Sequence, residues 1–211
     1  MEQYNLIALK SNKTRILIIG GGRAAYIKLT SFLNRGCNVF LVSTNISDNI
    51  RKLIEKYNVH YIEDKFHEKY IIDKHLVVIA TDDEDLNCFI REKCDDLYKL
   101  YIDCSNNRKS TCFNSFQRET SNMVFSLNSK KACPNVTTFL GKKIKEQLES
   151  YDDYIEYVSS LRENLKKHNS KNEIMNFVCS DDFYFFFKKG YGNMVLNMFY
   201  GGIDFEANIR N

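Results

Sequence analysis

The chain has 211 residues, 44 % of them hydrophobic and 27 % charged, with a formal net charge of +3. That is apolar material for a sizeable core and too little net charge for a general polyanion binder, so no nucleic-acid partner is expected. Residues 1–13 carry no apolar leader and no 18-residue apolar run follows, so the expectation is a cytoplasmic protein without a membrane partner.

The first element predicted is a strand over 15–20, an apolar run (Ile16 to Ile19) that ends in Gly20, Gly21 and Gly22. Ala24, Ile27, Leu29, Phe32 and Leu33 then recur at helical spacing over 23–35, and the helix stops at Gly36. A strand follows over 38–43, a helix over 48–57 with Ile50, Leu53 and Ile54 on one face, and a short strand over 59–62. Residues 75–80 form a fourth apolar run. Thr81, Asp82 and Asp83 are placed to cap a helix over 84–95, and a fifth strand runs over 100–103. Continuous apolar strands alternating with helices predict a parallel sheet covered on both faces. The fold class is therefore α/β, a Rossmann-like doubly wound sheet, with a domain over 1–108.

The pattern changes after Asp103. Residues 104–111 are polar and loop-like, 111–116 and 123–127 look extended, and the single proline, Pro134, precedes an amphipathic helix over 136–148. From Tyr151 onward the periodicity is helical, with Tyr154, Ile155, Val158 and Leu161 on one stripe. A small α+β region over 109–149 and a C-terminal helical region over 150–211 are expected. The dense aromatic run 183–187 reads as a core or subunit-interface plug rather than a ligand shelf.

Three features fall at the carboxyl ends of successive strands, where open α/β sheets bind ligands. The first is the glycine turn. Gly20 permits the tight bend, Gly22 lets backbone approach phosphates, and Ala25 keeps helix and strand close, which is the geometry that holds a dinucleotide pyrophosphate at a helix N-terminus. The second is the stretch Ala80, Thr81, Asp82 and Asp83 with Leu86 and Asn87. The third is Asp103, which ends the fifth strand. An acid there either caps a loop or, beside a bound nicotinamide, serves as a general base.

These segments resemble the precorrin-2 dehydrogenase and sirohydrochlorin ferrochelatase family, the N-terminal module of siroheme synthase. The residues that carry the resemblance are Gly20 to Gly22, the stretch 80–87, Asp103, and the turn 128–134 that reaches Pro134 before a helix. It covers residues 13–148 and implies NAD-dependent oxidation of precorrin-2 to sirohydrochlorin. Some members also insert ferrous iron, as a substrate, to give siroheme. The resemblance further implies that Asp103 is the catalytic residue and that the protein is a homodimer paired through its middle region. The cofactor would lie against Gly20, Gly21, Gly22, Arg23, Ala24, Ser43, Thr44, Asn45, Ala80, Thr81 and Asp82.

A tetrapyrrole with eight carboxylates needs cationic and polar donors. Arg108, Lys109, Arg118, Lys130, Lys131, Lys142 and Lys143 cluster after the strand-end acid. Of these Arg108, Arg118, Lys130 and Lys131, with Asn128 and Ser129, are the expected substrate contacts. The sequence departs from the family at Ser105, where a proline is usual, in a longer following loop, at Lys130 and Lys131, which replace glycines, and at Cys133. The second strand ends in Ser43, Thr44 and Asn45 instead of the acid that marks NAD-selective domains. NAD is favoured by the family and NADP stays open. The four histidines lack ligand spacing and no resident metal is expected. The seven cysteines contain no C-x-x-C pair and read as reduced thiols, with Cys104 and Cys112 flanking the site loop as packing residues. Two non-catalytic alternatives are a dinucleotide-sensing module and a tetrapyrrole-binding relative that has lost the chemistry.

Overall fold

Five apolar runs of the N-terminal half assemble into one parallel sheet: β1 (Arg15–Ile19), β2 (Asn38–Val42), β3 (His60–Ile62), β4 (Leu76–Ile79) and β5 (Leu100–Asp103), in the order β3-β2-β1-β4-β5. The computed structural model describes residues 4–131 and 133–201, which fall into two compact units, one ending at Asn114 and one starting at Ser115. Successive strands are joined through α1 (Arg23–Leu33), α2 (Asp48–Lys56), a 3-10 turn at Glu68–Tyr70, and α3 (Glu84–Asp96). The strand order reverses between β1 and β4, which opens a crevice at their carboxyl ends.

The alternation of β1 explains the two-layered core. Ile16 and Ile18 face one way and pack with Leu29, Val39, Leu41, Ile50 and Val78. Leu17 and Ile19 face the other way and pack with Ile71, Val77, Ile79 and Ile90. A parallel strand buried on both faces carries no polar position, which is why the sequence reads as unbroken apolar runs. The outer edge of β5 is not left open. The Tyr101 amide donates to Thr111 Oγ1 at 2.7 Å, and the Thr111 and Cys112 amides donate to the Tyr101 carbonyl. The segment expected to be a strand over 111–116 is therefore an edge cover at its start, and the strand β6 (Phe116–Glu119) begins only at Phe116.

In the second unit β6 pairs antiparallel with β7 (Val124–Leu127), and α4 (Pro134–Glu149) contacts β6. The approach is close: a Cβ on Gly141 would stand 2.0 Å from Phe116 Cε1. Helices α5 (Asp152–Asn164), α6 (Lys171–Val178), α7 (Asp181–Lys188) and α8 (Gly192–Tyr200) enclose a separate core of Leu161, Leu165, Ile174, Val178, Phe183, Val195 and Leu196. Tyr154, Tyr157 and Val158 pack on that core, so Tyr157 takes the place expected for Ile155. The aromatic run divides: Phe183 is fully buried and Phe187 packs beside it, while Phe185 and Phe186 are exposed.

Candidate functional site

The site begins at the glycine turn. Gly20 adopts φ +115°, and a Cβ there would stand 2.3 Å from the Ala80 carbonyl oxygen, so the β1–α1 turn and the end of β4 meet backbone to backbone. A Cβ on Gly21 would fall 1.8 Å from the Asn45 carbonyl oxygen, and the Gly21 carbonyl accepts from the Ser47 amide at 3.0 Å. Gly22, the N-cap of α1, differs from both: a Cβ there would meet nothing within 4 Å. The first two glycines are required by the protein's own packing, and the third faces open space at a helix N-terminus. Ala25 behind them is fully buried, which lets α1 lie close to β1.

A cavity of about 1140 Å³ opens over this turn. Gly20, Gly21, Gly22, Arg23, Ala24, Ser43, Thr44, Asn45, Ala80, Thr81 and Asp82, the residues expected to meet the cofactor, all line it. It also takes in residues the sequence reading missed, chiefly Asp64, Lys65 and Phe66 after β3. The available signal was positional, because they follow a strand's carboxyl end on the same sheet. Asp64 is the carboxylate on that side of the cavity, where the end of β2 carries none. The Tyr70 hydroxyl donates to it at 2.6 Å and holds its carboxyl below the usual range.

The stretch 80–87 folds as a latch. The Thr81 hydroxyl donates to Asn87 Oδ1 at 2.5 Å, and Asn87 Nδ2 donates back to the Thr81 carbonyl at 3.2 Å. Asn87 is buried, so this pairing satisfies its amide inside the protein. Asp83 caps α3 by accepting from the Leu86 amide at 3.0 Å, leaving Asp82 exposed on the cavity wall.

Asp103, at the end of the neighbouring strand, does not line this cavity. Its side chain is fully buried. Oδ1 accepts from the Ser105 amide (2.9 Å), the Ser105 hydroxyl (2.6 Å) and the Asn106 amide (3.1 Å). Oδ2 accepts from Arg91 Nη1 at 2.5 Å. Burial pushes the carboxyl up, but the donors from Ser105, Asn106 and Arg91 outweigh it and hold it below the ordinary range. Arg91 is itself nearly buried. Its Nη2 donates to Glu84 Oε1 at 2.9 Å, and the same oxygen takes Lys109 Nζ at 2.9 Å. The carboxylate expected to act as a general base is thus buried, with three donors on Oδ1 and one on Oδ2.

The expected substrate contacts lie in both units. Arg108 sits exposed in the 3-10 turn Asn107–Lys109. Arg118 lies on β6 with its guanidinium 4.2 Å from the Phe116 ring centroid. Asn128 to Lys131 form one turn between β7 and α4. There Asn128 donates to Ser115 Oγ at 2.7 Å, and Ser129 Oγ accepts from the Cys133 amide at 2.8 Å. Cys104 and Cys112 pack against the first core cluster, and burial pushes both thiols up.

Residues 7–116, more than half of the chain, match the family model described as putative NAD(P)-binding. The chain belongs to this family. Among curated relatives of this NAD(P)-binding protein, the precorrin-2 dehydrogenase of Priestia megaterium is 24 % identical over 179 residues, 80 % of this chain and 85 % of that protein. The siroheme synthase of Tolumonas auensis is 30 % identical over 95 residues, which is 45 % of this chain but only 20 % of that protein. The matched stretch thus spans about a fifth of that siroheme synthase and of the one from Actinobacillus pleuropneumoniae. A solved structure, SirC, precorrin-2 dehydrogenase, superposes with a TM-score of 0.68 at 19 % identity, covering 92 % of this chain and all of that one, so the fold is shared. Among the described residues no helix is long and apolar enough to cross a membrane.

Proposed function

We propose that this chain is an NAD-dependent dehydrogenase of precorrin-2 that yields sirohydrochlorin, acting in siroheme biosynthesis as its relatives' names indicate. The observation that carries the reading is the cavity over Gly20–Gly22, which gathers every residue expected to meet the cofactor at the reversal point of the sheet. The residues fit a dinucleotide. Gly22 leaves the first turn of α1 open to an anion, Arg23 adds a cation beside it, and Asp64 supplies an acceptor for a ribose hydroxyl. Bound NAD supplies the hydride acceptor for the reaction.

The chain's own part is to bind and orient. Thr81 and Asn87 tie the β4–α3 turn together through two hydrogen bonds, which braces that wall of the cavity. Arg108, Arg118, Lys130 and Lys131, with Asn128 and Ser129, present donors for substrate carboxylates. Oxidation releases one proton for each hydride transferred, and the cavity wall offers exposed Asp82 as a carboxylate open to solvent. Ferrous iron insertion is the further activity that the family resemblance adds. The exposed apolar side chains of Val136, Phe139 and Leu140 on α4 support pairing with a second copy through the middle region.

A second reading, a non-catalytic NAD(P)-binding relative that still holds tetrapyrrole, is favoured by one observation: the carboxylate expected to act as base is buried and accepts four hydrogen bonds from the protein. Anaerobic incubation with precorrin-2 and NAD separates the two. NADH formation together with the sirohydrochlorin spectrum supports the enzyme. No turnover by a chain that binds NAD supports the second reading. Gly22→Val should remove NAD binding without unfolding the protein, since its side chain points into open space; normal NAD titration by that variant would defeat the cofactor assignment.

A further inference from the structure

The second strand ends in Ser43, Thr44 and Asn45, without the acid that commonly stands there to hold a ribose. The strand beside it supplies one at the same level. Val42 pairs with Ile62, so the register carried two residues on sets Asp64 at the height of Thr44, one strand over. The two strand ends are tied together there. The Ser43 amide donates to the Ile62 carbonyl at 3.2 Å, and the Tyr61 hydroxyl donates to the Ser43 carbonyl at 3.1 Å. Neighbouring strands lie about 4.8 Å apart, which puts the Asp64 carboxylate within reach of a group lying over residues 43–45. Asp64 and residues 43–45 line the same cavity.

The carboxylate is fixed and still open. The Tyr70 hydroxyl donates to Oδ2 at 2.6 Å and the Lys65 amide to Oδ1 at 2.8 Å, and both hold the carboxyl below the usual range. His67 Nε2 stands farther off, 3.7 Å from Oδ2. A carboxylate with two donors keeps acceptor capacity for more, and the Asp64 side chain is 39 % exposed.

We infer that Asp64 makes this cavity select NAD over NADP, by accepting a hydrogen bond from the 2′-hydroxyl of the adenosine ribose and repelling a 2′-phosphate, an inference that rests on the dinucleotide reading of the cavity. The two cofactors differ only at that oxygen, which is a neutral donor in one and an anion in the other. An ionised carboxylate attracts the first and opposes the second, and specificity needs both elements. Ser43, Thr44 and Asn45 offer neutral groups that suit either cofactor, so they leave the choice to the charges around them. Arg23 and Lys65 are the cations on the same cavity wall. Arg23 opens α1 beside Gly22, where the pyrophosphate charge is common to both cofactors. Lys65 is exposed on a flexible stem, whereas Asp64 is pinned by two donors.

Titration of the purified chain with NADH and with NADPH, followed by nicotinamide fluorescence, tests this without tetrapyrrole or turnover. The parent should bind NADH roughly a hundredfold tighter than NADPH. Raising the salt concentration should narrow that gap on the unmodified chain, because screening weakens the repulsion of the 2′-phosphate. Asp64→Asn keeps an acceptor oxygen for the Lys65 amide, and the Tyr70 hydroxyl oxygen accepts from the new amide, so the turn is retained while the charge is lost. This variant should bind NADH about tenfold more weakly and NADPH about tenfold more tightly, which brings the two near parity. Tyr70→Phe frees the carboxylate without removing its charge, and should weaken NADH a few-fold while NADPH stays excluded.

Equal losses of NADH and NADPH in Asp64→Asn would place the carboxylate on a part the two cofactors share, such as the adenine amino group, and would overturn the inference. A parent that prefers NADPH would overturn it too, leaving a dinucleotide site whose choice is made by Arg23 or Lys65. A parent that binds neither cofactor defeats the dinucleotide reading itself, and the selectivity falls with it.

Discussion

The ends of β4 and β5 lie side by side in one sheet and both present aspartates, yet their chemistry is opposite. After β4 the chain turns at once into α3, Asp83 caps that helix, and Asp82 stays exposed on a cavity wall. After β5 no helix follows, and the loop folds its own amides and a hydroxyl onto Asp103 until the carboxylate is sealed. Position at a strand's carboxyl end therefore brings an acid near a binding crevice, but the donors that the next few residues supply decide how exposed it is. The first end is an open wall and the second is a fastening.

The sharpest way to test that contrast is to neutralise one acid from each end. Asp103→Asn keeps an acceptor oxygen for Ser105 and Asn106 but turns an amide toward Arg91, leaving that nearly buried cation with only the exposed Glu84 as its anion. Breaking such a pair costs roughly 3–5 kcal/mol. Asp82→Asn removes a charge that faces solvent and should leave the urea midpoint where it was. Equal effects at the two sites would break the comparison.

The same contrast sets a pH dependence. Donors hold the Asp103 carboxyl below its unfolded value, so its contribution to stability is fully present above that unfolded value, about 3.9. It is lost as pH falls through the lower folded value, where the carboxyl protonates and Arg91 loses its buried partner. Arg91 and Glu84 from α3 and Lys109 from the loop are the charged groups in its network, and Arg91, with the Ser105 and Asn106 donors, delays protonation. Thermal unfolding between pH 5 and pH 2 should fall steeply for the parent and less steeply for Asp103→Asn. Asp64, Asp73 and Asp152 are also held below the usual range and supply an acid-sensitive background common to both proteins. Parallel curves would remove Asp103 from the account.

Much of the open wall was legible in the sequence, and little of the fastening was. The strands announce themselves because burial on both faces demands unbroken apolar runs, and the glycine turn announces itself because two of its glycines are sterically compelled. Asp64 to Phe66 escaped because β3 has only three residues and its burial is partial. The state of Asp103 escaped for a deeper reason: it depends on Arg91, twelve residues earlier on another element, and on loop residues that sequence patterning records only as polar. One signal was present. Asn87, Ile90, Arg91 and Cys94 form the buried stripe of α3, and an arginine inside such a stripe requires an anion to meet it. In the second unit the aromatic run 183–187 could be read as a plug, but which rings turned inward depended on the packing of α5 and α8 around Phe183.

The smallest expected effect lies at the outer end of the charge circuit that runs Asp103, Arg91, Glu84, Lys109. Glu84 is largely exposed and bridges Arg91 to Lys109 through one oxygen. Those two cations hold its carboxyl below the usual range, but solvent screens the pair on the Lys109 side. Glu84→Gln keeps an acceptor oxygen in place and removes only the charge, so the unfolding midpoint should hardly move. Arg91 would still be paired to Asp103 at its inner end, and the Ser105 and Asn106 amides should keep their protection from exchange. A large loss of stability in Glu84→Gln would mean that the circuit acts as a single unit rather than as one buried pair with a solvated extension. In that case the stability of the β5 end would have to be assigned to all four groups together.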